Sequence, residues 1–337
     1  MGIRGALPLL AAWAASLPVV ALADTAPPIA IARQGSFAAG GAILGEGGEQ
    51  TLHCDHGFVE YQVPVDARPV ALFLWHSSST AVWQNRWDGG EGFQSLFLRR
   101  GFPVYLWDGP RVGRANWGCA DYTYKALAGR DQQNVTSSWR FGPKWGEWYP
   151  GVQFPTQDAA AFDQAMRARY DEFDVIANAK LEAAAAAKAL DRVGPSVLVT
   201  SSAGGLRALL TATQSDKVRA IVAYENPGYL FPEGEAAGQS DTPFGPLHVS
   251  REAFLRLTRV PMQFVWGDNL DKSPLWQSRL EQCRAFVALI NANGGQAEIL
   301  VLPDKGLRGN THMPFADMNN DAVGDLLAAF LAEKGLD

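Results

Sequence analysis

Charge of either sign is scarce in this chain: 29 Lys and Arg and 35 Asp and Glu among 337 residues, 19% in all, with a formal net charge of -6. Together with a sequence pI near 5.5, that balance lacks the basic footprint a phosphate backbone requires. Nucleic acid is therefore not an expected partner, and the ligand is expected to be small and not strongly anionic. Cysteine is scarcer still. Cys54, Cys119 and Cys283 form no C-x-x-C pair, so no zinc ribbon or dithiol redox motif is encoded. The cluster His53-Cys54-Asp55-His56 has the right residue types for a metal, but four consecutive residues approaching a strand cannot all face one ion. It reads as structural, and no metal is expected. The G-K-[ST] ending of a phosphate loop is missing, as is any internal repeat.

Long apolar runs are also few. The Ala-rich segment Leu181 to Leu190 is interrupted by Glu182 and Lys188, which argues against a membrane span there, and no stable membrane insertion of the mature chain is expected. One run, Ala6 to Val20, follows Arg4 and ends at the small-x-small pattern Ala21-Leu22-Ala23. It is shorter than the roughly 20 residues of a spanning helix and is followed by Pro27-Pro28. Residues 1–23 are thus expected to be a signal peptide, with the mature protein starting at Asp24 and located in the periplasm or outside the cell. Export permits a disulfide. Cys54 precedes an early strand, Cys119 sits in a Gly/Trp loop and Cys283 falls in an amphipathic helix, so Cys54 with Cys119 is the expected pair.

What the chain does have is 47% hydrophobic residues, ample for one large core over residues 24–337. Short β-rich runs alternate with helical patterns: strands are expected at Gly57 to Val63, Pro69 to Trp75, Pro103 to Trp107, Ser196 to Thr200, Val218 to Tyr224, Pro261 to Trp266 and Ala297 to Leu302. Helical periodicity marks Glu91 to Arg100, Gly204 to Thr213, Pro274 to Asn291 and Asp321 to Lys334. That order predicts an α/β protein with a mostly parallel, doubly wound sheet. Two stretches break it, about 111–173, rich in Trp, Gly, Tyr and Pro, and 227–250, rich in Gly and Pro. Both read as lid-like insertions in one domain. Asn134-Val135-Thr136 fits a glycosylation sequon, with nothing else asking for glycan.

The chemistry gathers at strand ends. The apolar strand Val197-Leu198-Val199 runs into Thr200-Ser201-Ser202-Ala203-Gly204-Gly205 and then a helix, the pattern of a serine presented on a sharp strand-to-helix turn. Ser202 is the candidate nucleophile, and the Ala203 N–H at the helix start a candidate oxyanion donor. A capped Gly/Ser turn is the alternative reading. A hydroxyl needs a base within hydrogen-bond reach, and His312, in Gly309-Asn310-Thr311-His312 after the last strand, is the histidine so placed. Two carboxylates compete to orient it: Glu225, ending the strand Ala220 to Tyr224, and Asp268, ending the next strand, with Glu225 preferred and Asp268 read as a turn residue. The second oxyanion donor is expected from His76-Ser77-Ser78-Ser79, by position the Ser78 N–H, with His76 bracing the loop. Trp83, Trp87, Trp117, Trp145 and Trp148 crowd the insertions and nearby loops. Trp83, Trp87 and Trp148 are the candidates to line a substrate pocket.

Gly35-Ser36-Phe37 with Gly40-Gly41, Gly92-Phe93-Gln94 leading into Phe97-Leu98-Arg99-Arg100-Gly101-Phe102, Gly151-Val152-Gln153-Phe154-Pro155 and Gly309-Asn310-Thr311-His312 together resemble a group of bacterial esterases of the α/β-hydrolase superfamily. The resemblance covers nearly the whole mature chain and implies an acid glutamate after the sixth strand, which further favours Glu225. Ser77 replaces a loop glycine and Ser201-Ser202-Ala203 replaces His-Ser-Gln, both in the oxyanion region. The expected activity is hydrolysis of a small apolar or aromatic carboxylic ester through an acyl-enzyme, with no cofactor. Cleavage of an amide, lactone or C–C bond, and an inactive member that binds a small ligand, are the alternatives.

Overall fold

A computed structural model describes residues 26–48, 50–121, 130–235 and 244–337. The expected signal peptide lies outside the described residues. Eight strands form the main sheet: β1 Ile31–Ala39, β2 Gly57–Pro64, β3 Ala71–His76, β4 Val104–Asp108, β5 Ser196–Ser201, β6 Val218–Tyr224, β7 Met262–Trp266 and β8 Ala297–Val301, in the order β1-β2-β4-β3-β5-β6-β7-β8. β2 runs antiparallel to both neighbours, and every pair from β4 to β8 is parallel. This is the α/β-hydrolase arrangement, doubly wound as expected.

Helices cover both faces: α1 Phe93–Arg99, α2 Gln132–Ser138, α3 Ala159–Arg167, α4 Ile176–Val193, α5 Gly204–Ala212, α6 Arg251–Leu257, α7 Pro274–Ala292 and α8 Asn320–Glu333. β3, buried along its whole length, shows how the two layers divide. Phe73 and Trp75 pack with Ala183 and Ala186 of α4, Leu209 of α5 and Phe286 of α7. Leu72 and Leu74 face the opposite side, with Phe97 of α1 and Leu327 and Phe330 of α8. Each such side chain, fully buried, contributes about 1.5–3 kcal/mol.

Several elements, among them β1, α2, α3, α4 and α6, were not expected from the sequence, and two of them show why. β1 is an edge strand whose residues are mostly exposed, so it lacks the apolar alternation that marks a half-buried strand. α4 is so rich in alanine that its buried stripe, including Ala179, Ala183, Ala186 and Leu190, hardly contrasts with its outer face.

The insertion between β4 and α4 carries α2 and α3, capped by Asp131 and Asp158. In the second insertion, Leu230–Pro232 and Leu247–Val249 pair as short parallel strands. A disulfide joins Cys54 to Cys119, and Asp55 beside it is gripped by both Arg111 Nε and Nη2 at 2.8 Å. The metal-type cluster His53-Cys54-Asp55-His56 is thus occupied in part by a disulfide and an ion pair.

Candidate active site

At the end of β5 the chain turns sharply into α5, and Ser202 sits at the apex with φ 51°, a left-handed conformation that costs a non-glycine residue free energy. The turn is held from below, because the Ser202 amide donates to the Tyr224 carbonyl of β6 at 2.9 Å. Between buried Ser201 and buried Ala203, the Ser202 side chain alone reaches accessible space. Of the glycine pair that follows, Gly205 is required sterically: a Cβ on it would fall 2.6 Å from the Asn226 side chain.

His312 faces the same cavity as Ser202. Its loop is fixed from several directions. Gly309, at φ +75°, lies so close to the Gly151 carbonyl that a Cβ would overlap it, and the Gly309 carbonyl accepts from the Gln153 amide at 2.8 Å. Two sequence motifs 158 residues apart, at 151 and 309, are therefore one packed unit. Asp317 accepts from the Thr311 amide at 2.7 Å, the Thr311 hydroxyl at 2.8 Å and the Asn310 side chain at 3.1 Å. Burial nonetheless pushes the Asp317 pKa up to about 7.

Glu225 follows β6 directly and, like Ser202, is held at positive φ, 54°. Its Oε2 lies 3.6 Å from His312 Nδ1, an ion-pair distance beyond a hydrogen bond, and neither atom has a hydrogen-bond partner. Its Oε1 accepts from the Gly267 amide and from Arg140 Nη2, each at 2.6 Å. Burial by itself raises the Glu225 pKa, but the Arg140 charge and His312 outweigh it, and the net direction is downward. Burial lowers the His312 pKa, and Glu225 only partly offsets it. Asp268, the competing acid, points elsewhere: its carboxylate accepts from the Asn269 amide at 2.7 Å and the Gly309 amide at 2.8 Å, so it anchors the histidine loop as a turn residue.

Arg140 gave no signal in the sequence. It belongs to the first insertion, at φ 60°, and its side chain is fully buried. Besides Glu225, it donates from Nε to the Asp268 carbonyl at 2.8 Å and lies 5.6 Å above the Trp276 ring. Its two predecessors are equally engaged. The Trp139 carbonyl accepts from the His312 amide at 3.0 Å, and the Ser138 carbonyl accepts from Trp276 Nε1 at 2.7 Å. Trp276 in turn packs against the His312 ring, with centroids 4.5 Å apart.

The oxyanion region differs from expectation on one side. The Ala203 amide has no acceptor among the described residues. The Ser78 amide, expected to be the second donor, already donates to His76 Nδ1 at 3.0 Å, joined there by the Ser79 amide at 3.2 Å. The Ser78 hydroxyl is also committed, donating to the Tyr170 carbonyl and accepting from the Tyr170 amide, both at 3.0 Å. Ser78 as oxyanion donor is corrected on that ground. Burial is the main cause that brings the His76 pKa down to about 4, keeping the ring neutral. A neutral imidazole whose Nδ1 accepts two amides carries its proton on Nε2.

Ser202, His312, His76 and Ser78 open on a cavity of about 410 Å³ roofed by both insertions. Of the tryptophans expected there, Trp87 lines it. Trp83 does not: it is sealed in the core, stacked on Phe315 at 4.0 Å. Trp148 is likewise away from the cavity, packed with Trp145 and Phe162 in the insertion. Trp139 and Trp276 take their place.

No protein family profile matches the chain. It is 24% identical over 314 residues to "Probable secreted lipase phiG" of Fungal sp. (strain ATCC 74256), covering 81% of this chain and 84% of that protein. It is similar to a crystal structure described as a novel bacterial esterase, with 25% identity, a TM-score of 0.75 and coverage of 92% of this chain and 98% of the other. With the sheet order above, the chain has the α/β-hydrolase fold, and its relatives include an esterase and a probable secreted lipase.

Proposed function

We propose that this protein is an exported serine hydrolase that cleaves a carboxylic ester. What carries the reading is Ser202, strained at the β5–α5 turn and facing the same cavity as a buried His312 that a buried carboxylate approaches to 3.6 Å. In this reading His312 takes the Ser202 hydroxyl proton as Oγ attacks the ester carbonyl. An Oγ–acyl bond forms, the acyl–oxygen bond to the alcohol breaks, and the same proton passes to the leaving alkoxide. Water then repeats the sequence, giving the free acid and restoring Ser202. Glu225 orients His312 and stabilises its transient positive charge. The Ala203 N–H is one oxyanion donor and the His76 Nε2–H is the second.

The relative named as a probable secreted lipase supports export, and cleavage before Asp24 is proposed from the small-x-small pattern of the sequence alone. Hydrolysis of a short-chain p-nitrophenyl ester tests the reading. The wild type should turn over, with kcat falling by about 10³–10⁴ in Glu225→Gln and far less in Asp268→Asn. Equal activity in wild type and Glu225→Gln, or a collapse in Asp268→Asn alone, would refute the assignment of the acid.

A further inference from the structure

The net charge of the chain is negative, yet the cavity wall beside Ser202 is not. Five charged side chains line it: Arg130, Arg169, Glu172, Asp174 and Arg279. Both carboxylates are taken by one arginine, Arg130, whose Nη1 lies 3.3 Å from Glu172 and whose Nη2 lies 3.2 Å from Asp174. Asp174 has a second cation in Arg207, at 3.8 Å. That leaves Arg169 and Arg279 with no carboxylate within 4 Å among the described residues.

Neither guanidinium is saturated. Arg169 donates from Nη1 to the Arg130 carbonyl at 3.0 Å and stacks over Trp139 at 5.3 Å, feeling Glu172 only from beyond ion-pair range. Arg279 has Gln282 Oε1 at 3.3 Å from Nη1. Each side chain is half-buried, and in each the dominant influence is burial, which disfavours the charged form. Partly desolvated arginines that keep donors pointing into a ligand cavity suit a planar anion, because the guanidinium fork matches a carboxylate. Their placement relates them to the chemistry. Arg279 lies one helical turn after Trp276, which packs on His312, and Arg169 lies against Trp139, whose carbonyl holds the His312 amide.

Resting on the esterase reading of the same cavity, we infer that the substrate is an ester bearing a carboxylate of its own, with Arg169 and Arg279 as the subsite for that carboxylate. A mono-ester of a dicarboxylic acid is the simplest member of this class, and its hydrolysis releases the diacid and the alcohol. The expectation of a weakly charged ligand came from the net charge, which reports the whole surface. The ligand responds to the cavity.

The test compares mono-p-nitrophenyl glutarate with p-nitrophenyl valerate, two esters of similar size that differ by one carboxylate. The wild type should favour the charged ester, and the preference should shrink as salt is added. Arg169→Gln and Arg279→Gln should each cut the ratio of charged to neutral kcat/KM by about tenfold or more, as loss of a charge-assisted hydrogen bond implies, mainly through KM. Arg279→Lys should recover part of it. A ratio that stays at the wild-type value in both glutamine variants would overturn the subsite. Monomethyl glutarate binding to full-length Ser202→Ala, read by calorimetry, separates the two claims. If neither ester is hydrolysed but this binding is weakened by Arg169→Gln, the esterase reading fails and the subsite stands. Binding that is equally weak with and without Arg169 overturns the subsite even in an active esterase.

Discussion

The site has two halves built on different principles. One half is made by strand ends: Ser202 after β5, Glu225 after β6 and Asp268 after β7, each pinned to its neighbour by a backbone hydrogen bond or a carboxylate–amide contact. The other half is made by the insertion after β4, where residues 138–140 hold Trp276, His312 and Glu225 in turn. Strand ends position groups through a sheet that is rigid whatever the ligand. The insertion positions them by docking, so its contribution is conditional on staying docked. The comparison teaches that the candidate acid is oriented from the sheet but has its charge balanced from the insertion.

Breaking the insertion half should give the largest effect on stability. In Arg140→Gln, Glu225 remains buried without its cation, which should cost about 3–5 kcal/mol in urea unfolding. The pH profile should move as well. In the wild type the Glu225 pKa is lowered and the carboxylate stays ionised into the acid range. Without Arg140, burial prevails, Glu225 protonates at higher pH, and the acid limb of kcat/KM should shift upward.

Breaking the strand-end half should act on rate and spare the fold. His76→Asn keeps an oxygen where Nδ1 accepts the Ser78 and Ser79 amides but has no atom at Nε2. On the proposal that Nε2–H is an oxyanion donor, kcat should fall by about 10²–10³ with Tm almost unchanged. An equal loss of both would reduce His76 to a brace. A smaller effect belongs to the junction between halves: Asp317→Asn retains only one acceptor oxygen for the three donors of the histidine loop. It should lower stability at pH 8 by about 1–2 kcal/mol. Because the Asp317 pKa is raised to about 7, its charged form is a liability above that pH, and the wild type should lose stability as pH rises from about 4 toward 7 through this group. The deficit of the variant should therefore be narrower at pH 8 than at pH 5. The smallest effect is the wild-type acid limb itself, which the lowered His312 pKa should place below the ordinary histidine value of 6.5.

The same division decides what was legible in the sequence. Ser202, Glu225 and His312 each follow a recognisable strand, and small or turn-forming neighbours announce them, so local rules suffice to place them at one edge of the sheet. Arg140 meets Glu225 across 85 residues and the Asp268 carbonyl across 128, and nothing in Ser138-Trp139-Arg140 encodes those separations. Trp83 and Trp148 read as pocket residues because tryptophan type says nothing about facing, and only packing sends one to the core and the other into the insertion. Ser78 failed for a chemical reason: a side chain two positions earlier competes for its amide.

The most direct test of the central claim is to label the full-length mature protein with a serine-directed fluorophosphonate and map the adduct by mass spectrometry. The account predicts a single stoichiometric adduct on Ser202 that is absent in Ser202→Ala and strongly slowed in His312→Ala. An adduct on another serine, or none at all in protein that remains folded, would contradict it.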